Sequence, residues 1–384
     1  MKTFQIYRST RDLPKTWDTL VKHDVFLQSY YLEALVQGGP SNIKIYFVGI
    51  FSDDELVGVA IIQIVNLYLK DMFRKAEVSC AKEFFRSIIS KILKGNVLVV
   101  GNLTHTGQHS MFFNKKKITL TEYAETIYKA VTALKNDFYR EHRKPIHAIL
   151  LKDFFVNEMK LKKTPVFDSF NFHEVSVQPN MILETRKQWS NMQDYVSDLS
   201  KKYRDRYKRA RKKLGDIYCK ELDLHAVQLN AVVLHTLYLN VSSNAKFNSF
   251  ILPQDHFFVL KQKLNDNFKV FGYYLNHKLV GFFTLILNSR QLETYFLGYD
   301  TKHQYGNQLY LNMLYDMLDF GITQRFTSVI YARTAMAIKS SVGAKPRPMV
   351  MYMKHTNGTL NRILKPVFKL MNPKQDWEER HPFK

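Results

Sequence analysis

Residues 268–344 read FKVFGYYLNHKLVGFFTLILNSRQLETYFLGYDTKHQYGNQLYLNMLYDMLDFGITQRFTSVIYARTAMAIKSSVGA. Apolar and aromatic runs broken by Asn276-His277 and Ser289-Arg290 predict strands at 269–275, 278–287 and 291–298. A loop at 299–307 follows, then a helix at 308–323, a strand at 328–332 and a polar, small-residue run at 333–344. An antiparallel meander running into a helix behind a Gly-containing loop presents backbone N–H groups to a phosphate or an acyl carrier.

The same order of elements recurs upstream. Asp54-Glu55-Leu56-Val57-Gly58-Val59-Ala60 echoes His277-Lys278-Leu279-Val280-Gly281-Phe282-Phe283, and each follows an aromatic-rich strand and a polar turn. Strands at 43–51, 56–66 and 96–101, a helix at 121–139 and a strand at 146–151 parallel the later series. A domain-sized duplication is expected. The fold class is α/β: mixed, largely antiparallel sheets flanked by helices. The expected division is 1–165, 166–355 and a helical tail at 356–384.

The remaining segments are punctuated by turn and cap residues. Helices are expected from Asp12 and around Gln28, the second capped by Ser29 and stopped by Gly38-Gly39-Pro40. A basic stretch, 160–165, leads to an irregular segment at 167–179 ending in Pro179, a strand at 180–184 and a helix at 189–199. Next, Lys201–Lys213 holds nine lysines and arginines against the single acid Asp205. Leu199, Tyr203, Tyr207, Ala210 and Leu214 recur at helical spacing, so one stripe packs inward and the other faces are cationic. A strand is expected at 216–222.

The chain has 384 residues, 46% of them hydrophobic, enough for two buried cores. A net charge of +22 favours an anionic partner: nucleic acid, a membrane surface, or a phosphorylated donor. No nucleic-acid recognition module is legible. Two cysteines, Cys80 and Cys219, make no disulfide framework or thiolate metal pattern, and the 13 histidines are read as giving no metal site. No apolar run approaches the roughly 20 residues of a membrane span. The N-terminus shows no secretory signal. The expectation is a cytoplasmic monomer.

Three motifs carry a family likeness: Leu199-Ser200-Lys201-Lys202-Tyr203-Arg204 with Ala210-Arg211-Lys212 behind it, Tyr295-Phe296-Leu297-Gly298-Tyr299-Asp300 with Leu309-Tyr310, and Tyr331–Ala344. Together they resemble the second domain of Fem-type peptidoglycan aminoacyltransferases and the related GNAT-fold N-acyltransferases. The likeness covers 180–350 and extends to the first half by element order. It implies tandem GNAT-like domains and transfer of an activated acyl group to an amine. The donor would be acyl-coenzyme A or aminoacyl-tRNA, with no metal. The coenzyme A signature is present only as a fragment, Lys302-His303-Gln304-Tyr305-Gly306-Asn307-Gln308, with one glycine.

Acyl transfer to an amine needs amine deprotonation, a stabilised oxyanion and a protonated leaving group. The resemblance places Lys339 at the donor phosphate or the oxyanion. Arg333 offers a fork for an anion, and Glu293, charged within an apolar strand, is the candidate base. Asp300 holds the amine or caps its turn. Lys302, Gln304, Tyr305, Gly306, Asn307 and Gln308 are assigned to the donor, and Tyr299, Tyr310 and Arg204 to the substrate. The amphipathic segment 360–371, interrupted by Pro366, packs on the second domain or touches an anionic membrane. A non-catalytic, basic tRNA- or nucleic-acid-binding protein is the alternative reading.

Overall fold

The computed structural model describes residues 2–67, 95–156, 167, 169–244, 248–362 and 377–384. Cys80, the basic stretch 160–165 and most of the amphipathic segment 360–371 lie outside them. In the first half the elements run β1 (Lys2–Tyr7), α1 (Trp17–Leu20), α2 (Ser29–Gln37), β2 (Ile43–Ser52), β3 (Glu55–Leu67), β4 (Gly95–Val100), β5 (Met111–Phe113), α3 (Leu120–His142) and β6 (Ile146–Phe155). The second half opens with β7 (His173–Glu184), α4 (Met192–Asp198), α5 (Lys201–Leu214), β8 (Tyr218–Leu222), α6 (Leu224–Leu229), α7 (Ala231–Ser242) and α8 (His256–Leu264). It closes with β9 (Phe268–Leu275), β10 (Lys278–Asn288), β11 (Gln291–Tyr299), α9 (Lys302–Gly306), α10 (Leu309–Thr323), β12 (Ser328–Ile330), α11 (Met336–Ser340) and β13 (Lys345–His355).

The strands form one sheet in the order β1-β2-β3-β4-β6-β13-β7-β12-β11-β10-β9-β8, with β5 on β3. Either side of its centre the sheet repeats itself. Each half has three antiparallel pairings and then a parallel one, β4 with β6 and β11 with β12. A long helix crosses over each parallel pair, α3 in one half and α10 in the other. The hairpin turns match as well: Asp53 and Asp54 have φ of 49° and 64°, Asn276 and His277 47° and 62°. Two consecutive left-handed residues suit a two-residue hairpin turn. The duplicated order is therefore present in three dimensions.

At the centre the halves are joined through β13. β13 pairs with β6 of the first half, β7 pairs with β12 of the second, and β7 and β13 pair with each other. Here the sequence expectation falls short. β7 begins at His173, inside the segment read as irregular, and Pro179 lies within it. Pro179 falls at the register shift between Arg347 and Met349, opposite Pro348, where a missing N–H does least harm to the ladder. The helices of 224–264 and strands β1, β5 and β13 also have no counterpart in the sequence reading.

Each half has its own core, and a third is shared. Trp17, Phe26, Tyr31 and Leu35 pack with Leu234, Phe257, Leu260 and Phe282. Trp17 anchors this cluster by donating its indole N–H to the Leu27 carbonyl. Helix α3 starts in a capping box, Thr119 with Glu122, while Ser29 lies inside α2 and donates its hydroxyl to Asp18. Trp377 and Phe383 pack on the second-half core, and Ser200 N–H donates to the Pro382 carbonyl. Among the described residues no helix is long and apolar enough to cross a membrane.

Candidate active site

The parallel ladder between β11 and β12 ends at Glu293 and Ile330. Beyond it β11 continues on β10 to Tyr299, bulging between Thr294 and Leu297. From Thr294 onward no strand among the described residues lies beside its other edge. The gap is a cleft of about 580 Å³ lined by Thr294–Leu297 of β11, Tyr310, Leu314 and Met317 of α10, Tyr331–Ala335 after β12, and Ser242 and Phe250 behind α7. Helix α7 closes it so tightly that a Cβ on Gly298 would stand 2.3 Å from the Leu237 carbonyl carbon.

Five of the residues singled out from the sequence meet in this wall: Tyr299, Gln304, Tyr310, Arg333 and Lys339. Lys339 is 5% exposed, and its amine donates to the carbonyls of Tyr331, Ala332 (3.4 Å) and Arg333 (2.6 Å). Burial pushes that amine down to about 7. The turn it clamps contains Ala332, Thr334 and Ala335, all left-handed, with φ of 57°, 67° and 46°. Non-glycine residues in this conformation are held there by their surroundings. Lys339 thus shapes the cleft wall by holding the turn.

Arg333 pairs with Asp153 of β6, a fully buried carboxylate that also pairs with Lys152 and accepts the Gly107 N–H at 3.1 Å. Burial alone would push the Asp153 carboxyl up; Lys152 and Arg333 outweigh it and hold the group below the usual range. Arg333 therefore joins the halves from the cleft rim, and its buried Nε has no hydrogen-bond partner among the described residues. Tyr299 and Tyr310 are pushed up first by burial, so both hydroxyls stay protonated at neutral pH.

Glu293 lies behind this wall. It is 1% exposed and faces the loop 102–110 of the first half, beside His105 and His109. Burial raises its carboxyl, but the two histidines dominate and hold it down to about 2. Glu293 does not line the cleft, although its strand neighbours Thr294 and Tyr295 do; its carboxylate is turned to His105 and His109 instead. Asp300 caps its turn by accepting the Lys302 N–H at 3.0 Å. Arg204 donates to the Leu199 carbonyl at the start of its own helix.

The expected donor loop is a helical turn, α9. Tyr305 is 85% exposed, Asn307 donates to the Lys213 carbonyl at the end of the basic helix, and a Cβ on Gly306 would stand in open space. Gln308, left-handed with φ 49°, precedes α10 without a side-chain cap. The first N–H groups of α10 thus lack a side-chain cap and lie next to Asn307, which is held by the Lys213 carbonyl. Lys202, Tyr203, Arg206, Arg209, Glu378 and Arg380 line a further cavity of about 300 Å³ beside α5, four cations against one acid.

In the first half, α3 and β6 border a cavity of about 400 Å³ walled by Met111, Phe113, Tyr123, Phe154, Phe170 and Phe172. The sequence reading missed His105, His109 and Asp24. His105-Thr106-Gly107-Gln108-His109 spaces two imidazoles four apart, a visible signal, but their partner Glu293 comes from the other half.

No family model matches the chain, and no curated protein matches it. Its structure is similar to that of FemX, with a TM-score of 0.55 at 10% identity, covering 95% of this chain and 100% of that one. It is also similar to a tandem GNAT protein from the clavulanic acid biosynthesis pathway, with a TM-score of 0.50 at 10% identity over 93% and 99% of the two chains. The chain therefore has the Fem-like, tandem GNAT fold.

Proposed function

We propose that this chain is an N-acyltransferase whose chemistry takes place in the cleft between β11 and β12. One observation carries the reading: β11 leaves its parallel neighbour at Glu293, bulges, and lines a walled cleft where, among the described residues, no second strand pairs with it. N–H groups on such an edge are fixed donors where the oxyanion of acyl transfer develops. FemX and the tandem GNAT protein share the architecture in which this cleft occurs.

In this reading residues 166–355 form the catalytic half, 1–165 the supporting half and 356–384 the tail. The donor lies against β11 with its anionic carrier at the start of α10, near Lys302, Lys212 and Lys213. Tyr299 and Tyr310 donate hydrogen bonds to the leaving group. Among the described residues the cleft wall carries no carboxylate, so the amine's proton passes to water. Lys339 and Arg333 position the turn Tyr331–Ala335. A donor carried on coenzyme A or tRNA places the reaction in the cytoplasm.

The experiment offers labelled acyl-coenzyme A, and separately labelled aminoacyl-tRNA, with a panel of amino sugars, peptides and amino-lipids. Amide formation from one donor is expected, and Tyr310→Phe should slow it without changing the melting temperature. Absence of transfer from both donors contradicts the reading. A second reading, a basic RNA-binding protein, is favoured by the cavity among Lys202, Arg206, Arg209 and Arg380. Retention of tRNA that falls steeply with salt, with no turnover, would select it.

A further inference from the structure

Behind the cleft, at the seam between the halves, three side chains meet that acyl transfer does not use. His105 Nε2 stands 3.3 Å from one oxygen of Glu293, and His109 Nε2 stands 3.2 Å from the other. One donor atom from each residue falls within a sphere of contacts no wider than 4.8 Å. We propose that His105, His109 and Glu293 bind a zinc-class divalent cation, which ties the loop 102–110 of the first half to β11 of the second.

The spacing suits a metal. With bonds of about 2.0–2.2 Å, neighbouring ligand atoms of a tetrahedral zinc lie about 3.3–3.6 Å apart. The two histidine–carboxylate separations, 3.3 and 3.2 Å, lie close to that value, and the three ligand atoms lie within 4.8 Å of one another. A hydrogen bond explains the first of these contacts less well: His105 Nε2 and Glu293 Oε2 are both buried and have no aligned hydrogen-bond partner among the described residues, despite lying 3.3 Å from each other. Two atoms that are close but not aligned are what a shared ion at the apex of a triangle leaves behind.

The surroundings orient the ligands. His109 Nδ1 lies 2.9 Å from Asp24 Oδ2, and Asp24 is itself fixed by the Phe26 N–H at 3.1 Å and the Asn288 amide at 3.2 Å. An imidazole that donates from Nδ1 to a carboxylate turns the Nε2 lone pair outward, toward Glu293 here. Carboxylate–imidazole–metal chains orient ligands in this way. The Phe26 ring stacks on His105 at 4.0 Å and 14°, setting its plane. Two nitrogens and a carboxylate favour zinc over calcium or magnesium, which take all-oxygen sets. The side chain of His109 is 15% exposed, which leaves a route to solvent.

The alternative is that a proton, not a metal, lies between His109 and Glu293. The two are separated by assaying the full-length chain purified without chelator or added metal. About one equivalent of zinc per chain is expected by elemental mass spectrometry. After removal of metal by a chelator, titration with Co²⁺ should give visible d–d absorption saturating at about one equivalent. His105→Ala with His109→Ala should abolish both signals. Asp24→Asn, which keeps all three ligands, should weaken Co²⁺ binding about 10- to 100-fold. Wild-type protein that is folded by circular dichroism yet holds less than about a tenth of an equivalent and gives no d–d band would overturn the proposal. Equal Co²⁺ binding by wild type and the double variant would overturn it too. The wild-type measurement decides the matter even if the double variant does not fold.

Discussion

The two halves part a parallel strand pair at corresponding places and fill the gap differently. In the first, β4 leaves β3 after Val100; Gly101 N–H still donates to the Ile61 carbonyl, and the chain then swings out through 102–110. β5 takes the vacated edge of β3, with Ile61 N–H donating to Ser110. The swung-out loop reaches across the molecule to Glu293. In the second half β11 stays on β10 to Tyr299, so the gap beside it remains an open, partly polar cleft. One copy of the motif is spent on joining the halves, the other on a site. A duplicated fold can divide labour by the path of a single loop.

Five substitutions sharpen or break that contrast, taken from the largest expected effect. Asp153→Asn keeps the shape and left-handed backbone of a position with φ 60° but leaves Lys152 and Arg333 without their carboxylate. A loss of about 3–5 kcal/mol in denaturant unfolding is expected, as when one partner of a buried ion pair is removed. The Asp153 carboxyl is held below its ordinary 3.8, so the unfolded chain binds the extra proton. Its contribution is present above pH 3.8 and is lost as pH falls through the more acidic folded value. The variant should therefore show a shallower acid unfolding limb than wild type. An unchanged limb would mean that the seam does not depend on this charge cluster.

Gly298→Val places side-chain atoms against the α7 backbone, where even a Cβ would stand 2.3 Å from Leu237 and 2.4 Å from Tyr238. About 2–3 kcal/mol of stability should be lost as the cleft wall is pushed apart. A melting temperature equal to wild type would show that α7 yields freely.

A pair of conservative substitutions compares the halves directly. Tyr123→Phe in the first half removes the hydroxyl that bonds the Val59 carbonyl at 2.7 Å, so stability should fall by about 1 kcal/mol with turnover intact. Tyr310→Phe in the second half should do the reverse and reduce kcat by roughly 100-fold. Equal effects of both on stability alone would remove the distinction between a structural and a working half.

The smallest effect is expected at the clamped turn. Thr334 is β-branched at φ 67°, and glycine there relieves strain of order 1 kcal/mol. Thr334→Gly should raise the melting temperature slightly and lower turnover, because the wall loses its fixed shape. If turnover also rises, the strain has no role in the cleft.

Local pattern in the sequence carries much of this architecture. The hairpins at Asp53-Asp54 and Asn276-His277, the meander of β9 to β11, and the helices α3 and α10 are all written in short-range periodicity and turn residues. The pairing of β7 and β13 is not, because which strands become neighbours is a long-range choice. Three prolines also hide those strands: Pro179 and Pro348 fall at the register shift that joins them, and Pro346 pairs with Met181 just before it. The cleft shows a similar split. Lys339 and Arg333 do converge on it, but Lys339 turns its amine to backbone carbonyls and Arg333 turns to Asp153, contacts that no residue pattern displays. Glu293 stood out as a charge in an apolar strand. The cause is a pair of histidines from the other half, which sequence distance conceals.

The central claim is that donor chemistry belongs to the second-half cleft. Amide hydrogen exchange of the full chain, with and without the donor that supports transfer, tests it directly. The account predicts slowed exchange in 294–299 and 309–314, with 111–113 and 120–131 of the first-half cavity unchanged. Slowing confined to the first-half segments, or no slowing anywhere at saturating donor, would contradict it.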